Sequence, residues 1–288
     1  MGTFLYFCGL DSSIMANVTQ HIRIQRPELW TLQLQVERER IRYTLHNAQE
    51  ENSLLWGDIP IDNSVGDYLK AVENAVYDNP ALLDDYPQVR VLVHSNHFVV
   101  MPPSCDEDQA RQLFDTAFPE WDGDYADCLL PQCQVRLAYG TQRGLIGFLQ
   151  RTFNMPAIYH HLYPLCEHFN AVNQGSSISR MFLNLRHDSM DMVIYRKGRL
   201  QIANTFAFRS LNDAAYFALH AWESCDLNRQ RDELQLAGDH DTRDQLAPEL
   251  RRFIAYVMPA IYPAQALRLS HDATQASIDL IFLALCES

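Results

Sequence analysis

Two stretches of the chain, LQVERERIRY from Leu34 and LNLRHDSMDM from Leu183, each read as apolar alternation, a polar turn, and apolar alternation again. The elements that follow each stretch come in the same order. An order of strands and helices written twice constrains a fold more than any single motif, because both halves must build the same unit. Period-two alternation predicts strands over LWTLQLQV, RIRYTLH and SLLWGDIPI. A helix with Ser64 as its N-cap and Val65, Leu69, Val72 and Val76 at helical spacing comes next. VRVLVHS then reads as a strand, HFVVMPP as its pairing partner, and DEDQARQLFDTAF as a helix with acids in its first turn. Residues 119–141 are irregular and acidic, with CQVRLAYG as a strand, and LIGFLQRTFN, PAIYH and HLYPLCEHFNAVN read as helix, strand and helix.

QGSS, residues 174–177, is the best linker in the chain, and beyond it the order restarts. RMFLNLR, MDMVIYR and RLQIANTFAF read as strands, followed by a helix, the strand DELQLAG, the helix TRDQLAPELRRFIAYV, the strand QALRLS and a closing helix. Leu34 with Leu183, Val36 with Leu185, Ile41 with Met190, Tyr43 with Met192 and Leu45 with Ile194 share one offset. With a small gap Leu55, Ile59 and Ile61 fall on Ile202, Phe206 and Phe208. Further along, Val91 and Val93 fall on Leu234 and Leu236, and His161 on His271. Three antiparallel strands followed by helix, strand, helix, strand, helix is the ribonuclease H-like order, a mixed α/β unit. Two such domains in tandem make the actin-like ATPase architecture, with mixed sheets and an interlobe cleft. The division is an N-terminal extension over 1–30, a first lobe over 31–174 with an irregular insert near 119–141, and a second lobe over 175–288.

With 288 residues, 47% of them hydrophobic, the chain is long enough for two cores. Its net charge of -13 repels phosphate backbones and anionic lipid, so nucleic acid is not an expected partner. Seven scattered cysteines without a CxxC suit reduced thiols in the cytoplasm. No basic residue precedes the N-terminal apolar run, and no run approaches a membrane span, so neither a secretory signal nor direct membrane insertion is expected. MANVTQHIRI from Met15 reads like a natural start, which makes residues 1–14 an upstream-start artefact or a disordered tail.

From about residue 16 the chain resembles an uncharacterised bacterial group, the domain-of-unknown-function family 3822. The likeness lies in the doubled strand triplets, VHSNHFVVMPP, AIYHHLYPL and the closing IFLALCES. The resemblance implies an actin-like ATPase fold and supplies no reaction. Nucleotide-binding members of that superfamily join the first two strands of each lobe by a glycine-rich loop beginning with an aspartate. Glycines let backbone N–H groups reach the phosphates, and the carboxylate holds magnesium and its waters. Here the turns read Glu37-Arg38-Glu39-Arg40 and Arg186-His187-Asp188-Ser189, neither contains glycine, and the strands end at Val36 and Leu185. LQLAGDH keeps one glycine, Gly238, of a paired-glycine adenosine segment; an ordinary strand-to-helix turn explains it more simply.

Clustered acids for a two-metal nuclease are missing from the first strands. His160, His161, Cys166 and His168, with Cys128 and Cys133, have poor spacing for zinc, and no metal is expected. The acidic DGDYAD lacks the ligand order of a calcium loop. The expectation is therefore a cytoplasmic scaffold or regulatory binding module for a protein partner, without catalytic residues and with degenerate phosphate loops. Its rival is a weak ATPase binding ATP and Mg through Arg38, Arg40, Arg186, Asp188 and Gly238. A hydrolase with an unrecognised site is a third, weaker reading.

Overall fold

The structure is a computed structural model and describes residues 24–286. The reading of residues 1–14, and most of the N-terminal extension, lies outside the described residues. Strands β1 (Thr31–Val36), β2 (Arg40–His46), β3 (Leu55–Pro60), β4 (Gln88–Val93) and β8 (Ala157–His160) form one five-stranded sheet in the order β3-β2-β1-β4-β8. The second half builds the same sheet from β9 (Arg180–Leu185), β10 (Ser189–Arg196), β11 (Arg199–Ala207), β12 (Glu233–Gly238) and β13 (Tyr256–Pro259), in the order β11-β10-β9-β12-β13. In each, β1 or β9 pairs antiparallel with the next strand and parallel with β4 or β12. The mixed α/β architecture and the duplication are therefore both present.

Register ties the repeat down residue by residue. Leu34 lies opposite Tyr43 and Leu183 opposite Met192; Ile59 lies opposite Ile41 and Phe206 opposite Met190. The hairpin turns match as well. Glu37 N–H donates to Arg40 O at 3.0 Å and Arg186 N–H to Ser189 O at 2.8 Å, while Ile61 N–H donates to Glu39 O and Phe208 N–H to Asp188 O. One alignment shifts: Val91 lies opposite Leu34, and Leu236 opposite Leu183, so Val91 corresponds to Leu236 and not to Leu234. A two-residue slip keeps every side chain on its face, so apolar alternation does not reveal it. Continuing the register through β8 and β13 puts Tyr262, not His271, in the place of His161.

Several local expectations are corrected. Asp67, not Ser64, caps α1 (Tyr68–Tyr77), accepting from Lys70 N–H, while Ser64 sits in a short 3-10 turn. β5 (Phe98–Met101) does not pair with β4. It joins β7 (Val135–Thr141), with β6 (Asp124–Leu130) on the far side, in a separate three-stranded sheet, so the acidic region holds a regular strand. Helix α2 (Glu107–Ala117) packs Ala110 and Phe114 against that sheet. QALRLS forms no strand: Ala264–Leu269 is a short helix, α7, and the fifth strand is YVMP, placed in sequence at the end of a helix. Short apolar runs fit either period, and the open edge of β12 decides here.

On the outer face of the second sheet lie α5 (Leu211–Ser224) and α6 (His240–Arg251), burying Trp222, Leu246 and Leu250 against Leu183 and Met192. Ser210 caps α5, its hydroxyl accepting from Asp213 N–H and the Asp213 carboxylate accepting from Ser210 N–H. Ser210→Ala is expected to cost about 1 kcal/mol in a denaturant titration, the usual value of such a cap. Helix α3 (Leu145–Thr152) packs with the first-lobe core. Helices α4 (Tyr163–Asn173) and α8 (Ile278–Leu285) pack together, with His168 stacked on Phe282 at 3.8 Å, while Phe169 meets Phe182 of β9 in a tilted pair at 4.3 Å. The last helix, drawn with the second lobe in sequence, thus packs over β1 of the first.

Candidate functional site

Both hairpin turns open into one cleft of about 840 Å³ between the lobes. Arg38, Arg40, Arg186, Asp188 and Gly238 all line it, so the structure brings the five sequence candidates together. Their surroundings differ. Arg38 and Asp188 stand exposed at the turn tips, and Arg40 pairs with Asp58 at 3.4 Å. Arg186 turns inward, its side chain only 13% exposed. Gly238 is left-handed at φ 88°, and a Cβ there would stand 2.0 Å from Leu185 O. The chain itself therefore requires that glycine.

The floor beneath the turns is a buried polar cluster built on equivalent positions of the repeat. Arg186 Nη1 donates to Asp191 Oδ2 at 2.5 Å, and Nη2 lies 3.4 Å from Asp279 Oδ2. Glu37, the first-lobe counterpart of Arg186, faces it at 3.9 Å and pairs with Arg42, the counterpart of Asp191, at 3.2 Å. Each lobe thus carries an acid–base pair at the same two positions, with the signs exchanged. Gln35 and Asn184 are counterparts too, and both donate to Asp279, at 2.8 and 3.0 Å. Ser277 Oγ donates to Gln35 Oε1 at 2.7 Å.

His161 extends the cluster into the start of α4. Ser95 N–H donates to its Nδ1 at 3.4 Å, so Nε2 carries the hydrogen and lies 3.0 Å from both Asp191 Oδ1 and Thr205 Oγ1. Burial alone would raise the Asp191 carboxyl, but Arg186 and His161 hold it well below the usual range. Burial raises Asp279 against the pull of Arg186, with Asp191 adding to the rise. Glu37 is raised by burial against Arg42 and Arg186. Burial works to lower the Arg186 guanidinium, yet the three carboxylates hold it above its ordinary value. His94 is pushed down by burial and by neighbouring His161 and Arg186, and stays neutral.

The histidines and cysteine singled out in sequence do not form a ligand set. His160 Nε2 donates to Ser95 O at 3.0 Å, His168 stacks on Phe282, and Cys166 is fully buried with its thiol raised by burial. Ligand atoms of His94, His161 and Asp191 do lie within 4.8 Å of one another. The two imidazoles, however, stack at 4.1 Å and 25°, so their in-plane lone pairs run side by side and do not converge. Both Asp191 oxygens are already engaged. That arrangement suits a structural cluster better than a metal centre, which needs converging ligands. Asp191, Asp279 and His94 carried no sequence signal, since their spacing along the chain is that of no motif.

The fold is shared with solved proteins. Residues 19–257 match the model of a family described as protein of unknown function (DUF3822). A Bacteroides thetaiotaomicron protein with an actin-like ATPase fold and unknown function superposes with a TM-score of 0.79 at 23% identity, covering 91% of this chain and 98% of its own. The PilM–PilN complex of type IV pilus biogenesis gives 0.57 at 12% identity, covering 90% and 98%. No curated protein matches the sequence.

Proposed function

The chain belongs to the DUF3822 family of unknown function, and from its actin-like ATPase fold and cleft floor we propose that it is a non-catalytic scaffold or regulatory binding module. One observation carries the reading. The Arg186 side chain, bonded to Asp191 and within reach of Asp279 and Glu37, fills the cleft floor between two glycine-free turns. Where a phosphate-binding loop offers backbone N–H groups, these turns offer side chains already engaged in ion pairs, Glu37 with Arg42 and Arg186 with Asp191. A protein partner suits such a module, and PilM, which shares the fold, is itself seen in a complex. The cysteines of the described residues are free thiols, which fits a cytoplasmic setting. Among the described residues no helix is long and apolar enough to cross a membrane.

Calorimetric titration with ATP and ADP in the presence of magnesium tests the reading. No heat of binding is expected up to millimolar nucleotide. Micromolar binding would instead overturn it in favour of the rival, a nucleotide binder gripping phosphate through Arg38, Arg40 and Arg186, with Asp188 and Gly238 beside them, whose weak ATPase activity a phosphate-release assay would then measure.

A further inference from the structure

The two sheets end on equivalent strands of different chemistry. β3 closes the first sheet and β11 the second, and their registers make Pro60 the counterpart of Ala207 and Asp58 that of Thr205. Phe208 N–H donates to Asp188 O, so pairing with β10 uses alternate residues, and Ala203, Thr205 and Ala207 turn their N–H and C=O groups away from it. In β3, Pro60 removes the outward N–H at that place, and Asp58 is ion-paired with Arg40 and Arg42. β11 runs for nine residues without a proline, and among the described residues no strand pairs with its outer side. The Thr205 N–H meets only the neighbouring Asn204 side chain, at 2.9 Å. A strand edge left open in this way is a template for another strand.

Charge selects the occupant. In a chain of net charge -13, Lys197 and Arg199 stand at one end of β11 and Arg209 at the other, all exposed and without an ion-pair partner among the described residues. The acids nearby are engaged: Asp226 pairs with Arg196, and Asp213 caps α5. An apolar shelf lies beside the edge. Half-buried Ile202 and Phe206 pack on the second core, with Phe206 stacked on Phe217 of α5 at 5.4 Å and Tyr216 beside it 62% exposed.

We propose that the outer edge of β11 is the docking site for an acidic, extended segment of a protein partner, which adds a sixth strand to the second sheet. Main-chain hydrogen bonds to Ala203, Thr205 and Ala207 hold the segment, and its carboxylates meet Lys197, Arg199 and Arg209. Apolar side chains at its alternate positions reach Ile202, Phe206 and Tyr216. At about 3.3 Å per residue the edge offers about 30 Å of pairing. The β11 of a second copy would bring the same three cations against these, so charge disfavours self-pairing. The proposal rests on the protein-partner reading and adds to it the place and the chemistry of the contact.

Selection of a phage-displayed library of random decapeptides on the immobilised full chain tests it. Enriched peptides are expected to be acidic with apolar residues at alternate positions, and their binding to weaken with added salt. Ala207→Pro copies Pro60 of the first lobe and should weaken binding of a selected synthetic peptide by up to about tenfold, the effect of one lost hydrogen bond. Lys197→Glu, Arg199→Glu and Arg209→Glu combined should weaken it at least as much, and these exposed positions keep the test open should Ala207→Pro not fold. Enrichment of no peptide, or of peptides without acids, overturns the inference, and so does binding that either folded variant leaves unchanged. Displacement of the peptide by a synthetic copy of residues 1–23, or self-association that Ala207→Pro abolishes, gives the edge another occupant and overturns it too. Micromolar nucleotide binding bears on the scaffold reading alone, so the two fail separately.

Discussion

Arg186→Met is expected to destabilise the protein by about 3–5 kcal/mol near neutral pH, the cost of removing one partner from a buried ion pair. Three enclosed carboxylates then face one another, with Arg42 and the more distant Arg40 acting on Glu37. The loss should shrink in acid. Asp279 and Glu37 already have raised carboxyls, and an acid raised in the folded state favours folding below its ordinary value and loses that advantage as pH rises. Urea titrations of the wild type and the variant at pH 5 and pH 8 would show the two midpoints converging toward pH 5. A loss below about 1 kcal/mol at pH 8 would mean that the cluster is as weak as a surface pair, and the account of the cleft floor would then be abandoned.

Gly238→Ala is the second large effect. At φ 88° an alanine is strained by about 1–3 kcal/mol, and its Cβ would meet Leu185 O at 2.0 Å and Leu185 N at 2.6 Å. Both are backbone atoms at the end of β9, so relief requires β9 and β12 to separate where Gly238 pairs with Leu185. The total should exceed the conformational part alone, and a melting curve of ligand-free protein should show it. An unchanged melting temperature would return Gly238 to the role of a residue kept small for a ligand.

How far the sequence foretold this molecule depends on the kind of order at stake. The hairpins over 31–46 and 180–196 were legible because strict alternation fixes which face is buried, and the two copies reinforce each other. β6 was hidden inside an acidic stretch, since Asp124 and Asp127 lie on a strand that is only half buried. α7 and β13 were exchanged because six- and four-residue apolar runs fit either period. The turns announced their lack of glycine directly. What Arg186 does there was not legible, because its partners Asp191, Asp279 and Glu37 come from β10, α8 and the end of β1. Only the folded chain brings them together.

The return of α8 to the first lobe sets the timetable of synthesis. Leu280, Ile281 and Phe282 belong to the core that β1, β4 and α4 share, yet they follow the whole second sheet along the chain. A nascent chain carrying the whole first sheet must wait on the order of ten seconds for that cover at ordinary elongation rates. During that interval Gln35 waits for Asp279 with its face of β1 open to solvent. Such long-range closure slows folding. The first lobe is therefore covered only after the strands of the second have been made.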